Sequence, residues 1–547
     1  MIQTYKTDVL IIGGGLAGLV AAHKAAERGR KVMILDQEGE QSLGGQAFWS
    51  LGGLCMIDTP EQRRMKIQDS HALAKQDWYG SAQFDRAEDA NPKAFADAYL
   101  DFAAGEMRPW LHSIGMRWFP VVGWAERGGG MAHGHGNSVP RFHLTWGTGP
   151  GVVAPFERLV REAASKGQVE FGFRHRVTGI DLKEKTVTGE ILEPTNAERG
   201  QSTSRTVVGD FTASAESIVI TSGGIGGDHD EVRKLWPTDR LGPAPKRMVA
   251  GVPDYVDGQM QRLTKAAGGG TINEDRMWHY CEGVQNWDPI WPNHGIRILP
   301  GPSSLWFDAL GNRMEAPYLP GFDTLGTLKR ILSTGHEHSW FILTQKIIEK
   351  EFALSGSEQN PDFTSGKWIE VLKSRLGKGA TAPVEAFKKH GEDFVVRDTL
   401  EQLVEGMNQI TPDTPLNLDH IRDQIVARDR EMTNTFTKDA QVTAIHGARN
   451  YRGDKLIRTA KPHEILDPTA GPLIAVRLNV LTRKSLGGLH TNLKSQLLDD
   501  KGEVIEGIYA AGEVCGFGGG GYHGYNALEG TFLGGCIFSG KIAGENA

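Results

Sequence analysis

A stretch near the C-terminus combines reactive side chains with an unusual amount of glycine. Residues 516–535 read GFGGGGYHGYNALEGTFLGG, and the polar side chains within them are Tyr522, His523, Tyr525, Asn526 and Glu529. Phenol, imidazole and carboxylate groups can transfer protons, and phenol and imidazole can also donate a hydrogen bond to a carbonyl oxygen. So much glycine destabilises a regular helix or strand, and a flexible linker would not need these side chains. We therefore predict that this backbone approaches a ligand closely and that its polar groups face a reactive cavity.

Residues 8–36 have the pattern of a dinucleotide-binding unit. An apolar run over 9–12 leads into Gly13-x-Gly15-x-x-Gly18, and a helical pattern and a second apolar run then end at Asp36. The first glycine makes the tight turn, the second admits a pyrophosphate and the third lets the helix pack on the strand. The N-terminus of the helix then faces the phosphate charge. The predicted contacts are Gly13, Gly15, Leu16, Ala17, Gly18, Asp36 and Gln37.

The fingerprint alone fits either NAD or FAD, and later glycine-containing segments favour FAD. Residues 42–56 (SLGGQAFWSLGGLCM) carry two glycine pairs, which suit a second close approach by a longer ligand with an isoalloxazine at one end. Residues 217–227 (SIVITSGGIGG) and 506–521 (EGIYAAGEVCGFGGGG) each read as a strand that ends in glycines. Because strand C-termini converge on the ligand crevice of an open α/β sheet, we predict one sheet assembled from both ends of the chain.

The overall composition limits the classes of partner. The chain has 547 residues and a net charge of −7, which gives no electrostatic case for nucleic acid or anionic lipid. Its four cysteines lack metal or redox spacing and fit a reducing cytosol. The longest apolar run, residues 9–22, is too short and too rich in glycine to span a bilayer. We therefore expect a cytoplasmic protein with no membrane span and no metal site.

The order of these motifs resembles the FAD-binding flavoprotein family of fumarate reductases and succinate dehydrogenases. The likeness covers the whole chain through GGGLAGL, LGGQ…SLGG, ITSGGIGG, GGLHTN and GIYAAGEV…HGYNALEG. The sequence is most similar to the uncharacterised branch that resembles 3-ketosteroid Δ1-dehydrogenases. The resemblance implies an α/β fold in which a Rossmann-like, discontinuous FAD-binding domain holds an inserted α+β cap domain. The FAD-binding domain would comprise residues 1–275 and 472–547, and the cap residues 276–471.

The resemblance also assigns cofactor contacts. Asp36 would hold the adenosine ribose, Val177 would contact the adenine through its backbone, and Glu513 would bond a ribityl hydroxyl. The other assigned positions are Gly44, Gly45, Gln46, Ala47, Gly52, Gly53, Ser222, Gly223, Gly224, Gly512, Gly530, Thr531, Phe532 and Leu533. Succinate dehydrogenases carry a histidine that bonds covalently to FAD near the position of Gln46, so we expect non-covalent FAD here. The glycines of 516–535 would face the flavin, with a helix N-terminus near Gly530 stabilising its negative charge.

The sequence departs from the fumarate-reducing branch where carboxylates are bound. The terminal motif of that branch resembles HGANRLGG, whereas this chain reads HGYNALEG, so Ala527 replaces an arginine and Glu529 adds a negative charge. The HTMGG segment of that branch corresponds to KSLGG, with Lys484 near the histidine position. These differences disfavour fumarate and succinate. An enoate reductase for a different acid, with Lys484, Arg297 or Arg313 as the carboxylate partner, stays open.

The ketosteroid-dehydrogenase branch uses tyrosines to polarise a ketone and to remove its α-proton. Tyr318, in MEAPYLPGF, resembles the cap tyrosine of that branch, and Tyr525 lies one residue from the position of the C-terminal tyrosine. His523 is a third candidate. We predict catalytic roles for these three; the alternative is a structural Tyr318 and a glycine loop that Tyr525 and His523 hydrogen-bond to itself.

Other polar residues are candidates for supporting roles. His279, Tyr280 and Arg297 could line the cap side of the cavity, and Arg141 and His143 are expected to order a glycine loop. The pair His133 and His135 has no further ligand cluster nearby, which disfavours a zinc site.

The sequence therefore predicts an FAD-dependent dehydrogenase that acts on a C–C bond next to a carbonyl group, with hydride transfer to flavin N5. We expect a small, mainly apolar carbonyl substrate. The electron acceptor, the direction of turnover and a homo-oligomeric state are left open. The alternatives are an enoate reductase for a non-C4 acid, a non-catalytic flavin-binding protein and an NAD-dependent Rossmann enzyme.

Overall fold

Residues 2–124 and 136–547 are described by the computed structural model. The strands are β1 (Ile2–Ile12), β2 (Val32–Asp36), β3 (Gly53–Cys55), β4 (Phe142–Leu144), β5 (Val169–Phe173), β6 (His175–Asp181), β7 (Thr186–Leu192), β8 (Val207–Ile220), β9 (Val249–Ala250), β10 (Thr271–Ile272), β11 (Met277–Gln285), β12 (Gly295–Leu299), β13 (Leu305–Asp308), β14 (His338–Thr344), β15 (Ala353–Leu354), β16 (Phe394–Arg397), β17 (Leu473–Ser485), β18 (Gly488–Leu489), β19 (Gln496–Leu498) and β20 (Val504–Ala510). The α-helices are α1 (Leu16–Glu27), α2 (Pro60–Arg64), α3 (His71–Ala82), α4 (Ala90–Ala104), α5 (Met107–Ser113), α6 (Thr148–Ser165), α7 (His229–Lys234), α8 (Thr238–Leu241), α9 (Gln259–Ala266), α10 (Thr324–Leu332), α11 (Gln345–Glu351), α12 (Pro361–Thr364), α13 (Trp368–Leu376), α14 (Ala382–His390), α15 (Leu400–Ile410), α16 (Leu418–Glu431), α17 (Ala440–Ala448), α18 (Arg452–Ile457) and α19 (Thr531–Asn546). Short 3-10 turns lie at Glu40–Ser42, Gly45–Trp49, Ala87–Asp89, Pro468–Ala470 and Gly512–Val514.

The first sheet is assembled from both ends of the chain. Its parallel part has the strand order β20–β8–β1–β2–β5, while β19 pairs antiparallel with β20 and β7 pairs antiparallel with β8. The last residues of β1, Val9–Ile12, are buried, as expected for a strand with neighbours on both sides and helices on its faces. The predicted α/β class and the single sheet built from distant segments are confirmed.

Helix α19 packs tightly against α1. A side chain added at Gly540 would place its Cβ 2.6 Å from the carbonyl oxygen of Ala17, and one at Gly544 would collide with the carbonyl oxygen of Ala21. Glycine at these positions therefore lets the two helix backbones come into direct contact. This contact places Gly540 beside Ala17 in the first turn of α1, so the first turns of α19 extend beyond the N-terminus of α1.

The second sheet is mainly antiparallel, with the order β13–β14–β17–β11–β12–β15. Strand β16 pairs with β17, and β9 lies parallel to it. The pairing of β11 with β17 shifts register on either side of Tyr280. Such irregularities re-aim side chains relative to a regular pleat.

Strand β17 connects the two halves of the site. The predicted boundary between residues 471 and 472 places this strand in the FAD-binding domain, but its hydrogen bonds are made within the second sheet. The division into domains stays a prediction. The consequence for the site is direct, because β17 ends at Ser485 and carries Lys484 towards the first sheet.

The α1–α19 contact generates a test. We expect Gly540→Ala to lower the Tm and to cost about 1–3 kcal/mol, because backbone must move to accept the methyl group. The matched control is Gly447→Ala in α17, where an added Cβ meets nothing within 4 Å; it is expected to leave the Tm unchanged or slightly higher. Equal Tm values for the two variants, measured by calorimetry, would show that the helices are not in close contact.

Candidate active site

A large cavity extends from the C-terminal edge of the first sheet to the second sheet. The predicted cofactor residues that line it are Gly13, Gly15, Leu16, Ala17, Asp36, Gln37, Gly44, Gly45, Gln46, Ala47, Gly53, Val177, Ser222, Gly223, Gly512, Glu513, Gly530, Phe532 and Leu533. These residues come from segments almost 500 positions apart, and the order of the strands brings them together. The cavity is therefore where the sequence predicts the dinucleotide.

The turn after β1 forms one end of the cavity. Gly13 has φ of +110° and its absent Cβ would lie 2.7 Å from the carbonyl oxygen of Thr221, so a larger residue is excluded by both conformation and space. Asp36 accepts hydrogen bonds from the backbone N–H groups of Gly14 and Glu38, at 2.8 Å each. Burial raises the pKa of Asp36 to about 6 despite these bonds. The carboxyl group is thus held rigidly at the cavity edge.

Four of the predicted cofactor residues lie behind the cavity wall. A Cβ at Gly18 would collide with the carbonyl oxygen of Gly13, as expected for the glycine that packs helix on strand. Gly52 packs against the backbone of Thr148, and Gly224 against the carboxyl group of Glu513. The Thr531 hydroxyl donates to the carbonyl oxygen of Leu528. These contacts assign Gly18, Gly52, Gly224 and Thr531 to packing.

Glu513 ties the second glycine segment to the C-terminal segment. Gln46 Nε2 donates to Glu513 Oε2 at 3.0 Å, and the backbone N–H of Ser485 donates to Glu513 Oε1 at 3.0 Å. Burial raises the pKa of Glu513 above its ordinary value. The side chains of Gln46 and Glu513 both line the cavity, so a ligand with several hydroxyl groups would meet a fixed donor and a fixed acceptor there.

The glycines of residues 516–535 face protein, which corrects the prediction that they face the flavin. An added Cβ would meet the ring of Phe95 at Gly518, the backbone of Asn91 at Gly519 and the carbonyl oxygen of Ala82 at Gly524. Gly530 does line the cavity, but its Cβ would lie 2.7 Å from the backbone nitrogen of Cys55. Close packing against α3, α4 and β3 therefore explains most of this glycine.

The three side chains predicted to be catalytic do not line the cavity. Tyr525 donates to Asp85 Oδ2 at 3.2 Å and lies 3.7 Å below the guanidinium carbon of Arg240. His523 is buried, hydrogen-bonds the hydroxyl of Thr531 through Nε2 at 2.8 Å and has its pKa lowered well below the ordinary value by burial.

Tyr318 is half-buried against the hydrophobic core in the turn between β13 and α10, and it does not line the cavity either. A catalytic role for Tyr318, Tyr525 or His523 has no support from these positions. The polar side chains of the glycine loop mostly bind neighbouring segments, and of those predicted to face the cavity Glu529 is the one that does.

A different polar group lines the side of the cavity formed by the second sheet. Tyr280 on β11 donates to Glu529 Oε1 at 3.1 Å, and Arg297 on β12 forms an ion pair with the same oxygen at 2.6 Å. Lys484 on β17 places Nζ 3.4 Å from the Tyr280 hydroxyl. The Arg297 guanidinium stacks 3.8 Å from the centre of the Tyr280 ring. We call Tyr280, Arg297, Lys484 and Glu529 the cap-side cluster.

Burial and neighbouring charges shift the pKa values of Lys484 and Glu529 in the cluster. Burial lowers the pKa of Lys484 to about 7, and the positive charge of the neighbouring Arg483 is the second cause of this shift. Burial alone would raise the pKa of Glu529, but the charges of Arg297 and Lys484 hold it below its ordinary value. Lys484 thus changes between ammonium and amine near neutral pH beside an ionised carboxylate, an arrangement suited to proton transfer.

The remaining wall is largely apolar. Leu51, Phe142, Leu299, Phe532 and Leu533 line the same cavity as the cluster, and the Phe532 ring lies 4.1 Å from Lys484 Nζ. Sequence reasoning did not identify Leu51, Phe142 or Leu299, because single apolar residues carry no chemical signature.

The neighbours of Phe142 on β4 hold it in the wall. Arg141 pairs with Asp69 at 2.7 Å, and His143 Nε2 hydrogen-bonds the hydroxyl of Thr59 at 2.7 Å. Because alternate residues of a strand point to opposite faces, these anchors direct Phe142 into the cavity.

Several other predicted residues lie elsewhere. His279 accepts the backbone N–H of Arg483 and stacks on Trp236. Arg313 pairs with Asp439 at 2.6 Å, away from the cavity. His133 and His135 lie outside the described residues. Within the described parts of the chain, no group of His, Cys, Asp and Glu side chains could hold a metal ion, and no helix is long and apolar enough to cross a membrane.

Comparison with known proteins places the chain among flavoproteins. Residues 8–533 match the family described as FAD binding domain. A KsdD-like steroid dehydrogenase of Mycobacterium tuberculosis is 55% identical over 99% of this chain and 95% of its own length. A protein of the same name from Mycolicibacterium smegmatis is 56% identical over 96% of each chain. The structure of 3-ketosteroid Δ1-dehydrogenase from Sterolibacterium denitrificans matches with a TM-score of 0.65 at 14% identity over 98% of each chain, which is a likeness of fold.

The side chain at position 46 allows a test of how the cofactor is held. An amide is not a nucleophile that forms a flavin linkage, so we expect acid or heat denaturation to release all of the flavin from the purified protein. The measurement is the absorbance spectrum of the filtrate and of the precipitate after denaturation. Yellow colour that stays with the precipitated polypeptide would contradict non-covalent binding.

Proposed function

The chain belongs to the FAD binding domain family, and from this premise we propose that it is a dehydrogenase of a C–C bond next to a carbonyl group in a mainly apolar, steroid-like substrate. Its cofactor is FAD and its reaction class is dehydrogenation. The relatives that are 55% and 56% identical are named KsdD-like steroid dehydrogenases and match along nearly their whole length.

The residues present fit FAD. The turn at Gly13–Gly15 exposes bare backbone where α1 begins, which suits a pyrophosphate. Asp36, Gln46 and Glu513 line the cavity, where Asp36 would bind the adenosine ribose and Gln46 and Glu513 would bind ribityl hydroxyl groups. Helix α19 begins after Gly530 at the far end, where its N-terminal N–H groups suit a group that becomes negative. When bound, FAD supplies the acceptor for a hydride.

The observation that carries the proposal is the convergence of the cap-side cluster and the apolar wall on one cavity. A carbonyl oxygen near the cluster would meet N–H groups of Arg297 and Lys484, beside the Tyr280 hydroxyl that donates to Glu529. Hydrogen bonding to that oxygen stabilises the negative charge that develops when the adjacent carbon loses its proton. The apolar side chains opposite would bury the rest of the substrate.

Charge balance in the cluster favours a neutral substrate. Glu529 already pairs with Arg297 at 2.6 Å and holds an ionised carboxylate next to Lys484. A second carboxylate bound to the same cations would be repelled by Glu529. One observation supports the enoate alternative: Arg483 lines the cavity, and among the residues that the structure describes its guanidinium makes a single long hydrogen bond, 3.4 Å to the Ser355 hydroxyl. The two candidates differ in substrate charge, so one experiment separates them.

That experiment mixes the oxidised protein anaerobically with saturated 3-ketosteroids, 4-ene-3-ketosteroids and saturated carboxylic acids. We expect the steroid ketones to bleach the flavin absorbance and the acids to leave it unchanged. Bleaching by acids alone, or reoxidation of reduced protein by enoates alone, would establish the alternative. A flavin that no member of the panel reduces would contradict the proposed function.

Two tyrosine variants test whether the tyrosine needed for catalysis is Tyr280, which lines the cavity, or Tyr318, which the family resemblance predicts. We expect Tyr280→Phe to retain FAD and to lower kcat/KM by about 100-fold or more, since it removes the hydroxyl that faces the substrate. Tyr318→Phe should leave kcat/KM within about twofold of the unchanged protein, because the side chain lies outside the cavity. Steady-state kinetics with a steroid ketone measures both, and the reverse order of effects would restore Tyr318 as the catalytic tyrosine.

A further inference from the structure

We propose that Lys484 is the residue that moves the proton in this reaction, accepting it from the substrate α-carbon as a neutral amine. This inference rests on the proposed function and extends it to the identity of the base.

The position of Lys484 suits contact with substrate. Lys484 is the penultimate residue of strand β17, and it lines the cavity together with Tyr280 and Phe532. Its Nζ is 3.4 Å from the Tyr280 hydroxyl and 4.1 Å from the centre of the Phe532 ring. Within residues 2–124 and 136–547, no carboxylate oxygen forms an ion pair with it. An amine without such a partner is not locked in its protonated state.

The charged groups near Lys484 shift its pKa in opposite directions. Arg483 and Arg297 disfavour the ammonium form, while Glu529 and Glu513 favour it. The titratable groups that also face it are Tyr280, His279, His523 and Cys536. Burial lowers the pKa of His279 to about 3 and raises the pKa of Cys536 to about 12, so both are neutral near pH 7. Burial is the largest influence on Lys484 itself and favours the free amine.

Its neighbours in the cluster are less suited to the task. Arg297 cannot release its proton at physiological pH. Glu529 accepts the Tyr280 hydroxyl and an N–H of Arg297 on the same oxygen, which weakens it as a base. The Tyr280 hydroxyl donates its proton to Glu529 and accepts an N–H of Lys484, so it orients the amine.

The proposed step breaks two C–H bonds of the substrate. The α C–H bond breaks, its proton forms a new N–H bond with Lys484, and its electron pair becomes the new C=C bond. The β C–H bond breaks with both of its electrons, which leave as hydride. FAD, when bound, would supply the acceptor for that hydride and would gain the two electrons that the substrate loses. In the reverse direction the ammonium group returns the proton to the α-carbon.

The test uses Lys484→Arg, which keeps a cation that cannot lose its proton, and Lys484→Met, which keeps the length without the amine. Single-turnover flavin reduction is followed with a steroid ketone that reduces the unchanged protein. We expect the rate of the unchanged protein to rise with pH through an inflection near 7, because the base must be deprotonated. Both variants should retain FAD, react at least about 100-fold more slowly and lose that inflection. Lys494→Met, on an exposed lysine, is the matched control and should behave as the unchanged protein.

The outcomes separate the two proposals. If Lys484→Arg keeps most of the rate, or if either variant keeps the inflection, Lys484 is a fixed cation or a bystander and the inference is overturned. If no ketone reduces the unchanged protein, the proposed function itself fails. Flavin content, measured for each variant before the kinetics, shows that any loss of rate does not reflect loss of cofactor.

Discussion

The contact between α1 and α19 is the constraint on which the site depends. Glycine at positions 540 and 544 lets the two backbones touch, and this contact sets Gly540 beside the first turn of α1 so that α19 begins further along the cavity. Two helix N-termini thus face one cavity from different parts of the chain. Parallel pairing of β20 with β8 supports the same arrangement from the sheet. These contacts hold the residues around Gly13 close to those around Glu513.

The cap-side cluster joins the second sheet to this frame by charge. Arg297 on β12 reaches Glu529 in the segment before α19, so the ion pair spans two elements that the chain separates by more than 200 residues. The irregular pairing around Tyr280 and the C-terminal end of β17 bring the other members to the same point. A buried ion pair alone is weak support for stability, since desolvation offsets its attraction. Its value here lies in orienting Tyr280 and in setting the charge around Lys484.

Much of the fold could be predicted from the sequence because its signals are local. The spacing from Gly13 to Asp36 follows from the geometry of one strand–turn–helix–strand unit, and each glycine there has a distinct steric reason. The segments around Ser222 and Glu513 were found in the same way, as strands that end in glycine. Local signals do not indicate which sheet a strand joins. Strand β17, which the predicted boundary assigns to the FAD-binding domain, pairs with strands of the second sheet.

The candidate site was harder to predict because a glycine-rich segment can have two physical causes. A bare backbone can admit a ligand or a neighbouring helix, and the sequence alone does not separate the two. The loop around Tyr525 packs on α3 and α4, so its polar side chains point to Asp85 and Arg240. The cap-side residues that do meet the cavity lie on β11, β12 and β17, and of these the sequence analysis had named Tyr280 and Arg297 as cavity residues. Lys484 was identified only as a carboxylate partner, since its low basicity arises from burial that no motif reveals.

The interleaved first sheet also has a consequence for biosynthesis. Strand β20 and helix α19 are synthesised long after β1, yet they complete the cradle begun by the first forty residues. The stretch Ile218–Ile220 of β8 therefore lacks its partner strand until β20 has been made, whereas β7 can pair with the earlier part of β8 at once. An unpaired strand edge of this kind can pair with another chain, so a chaperone that covers it would protect the growing polypeptide.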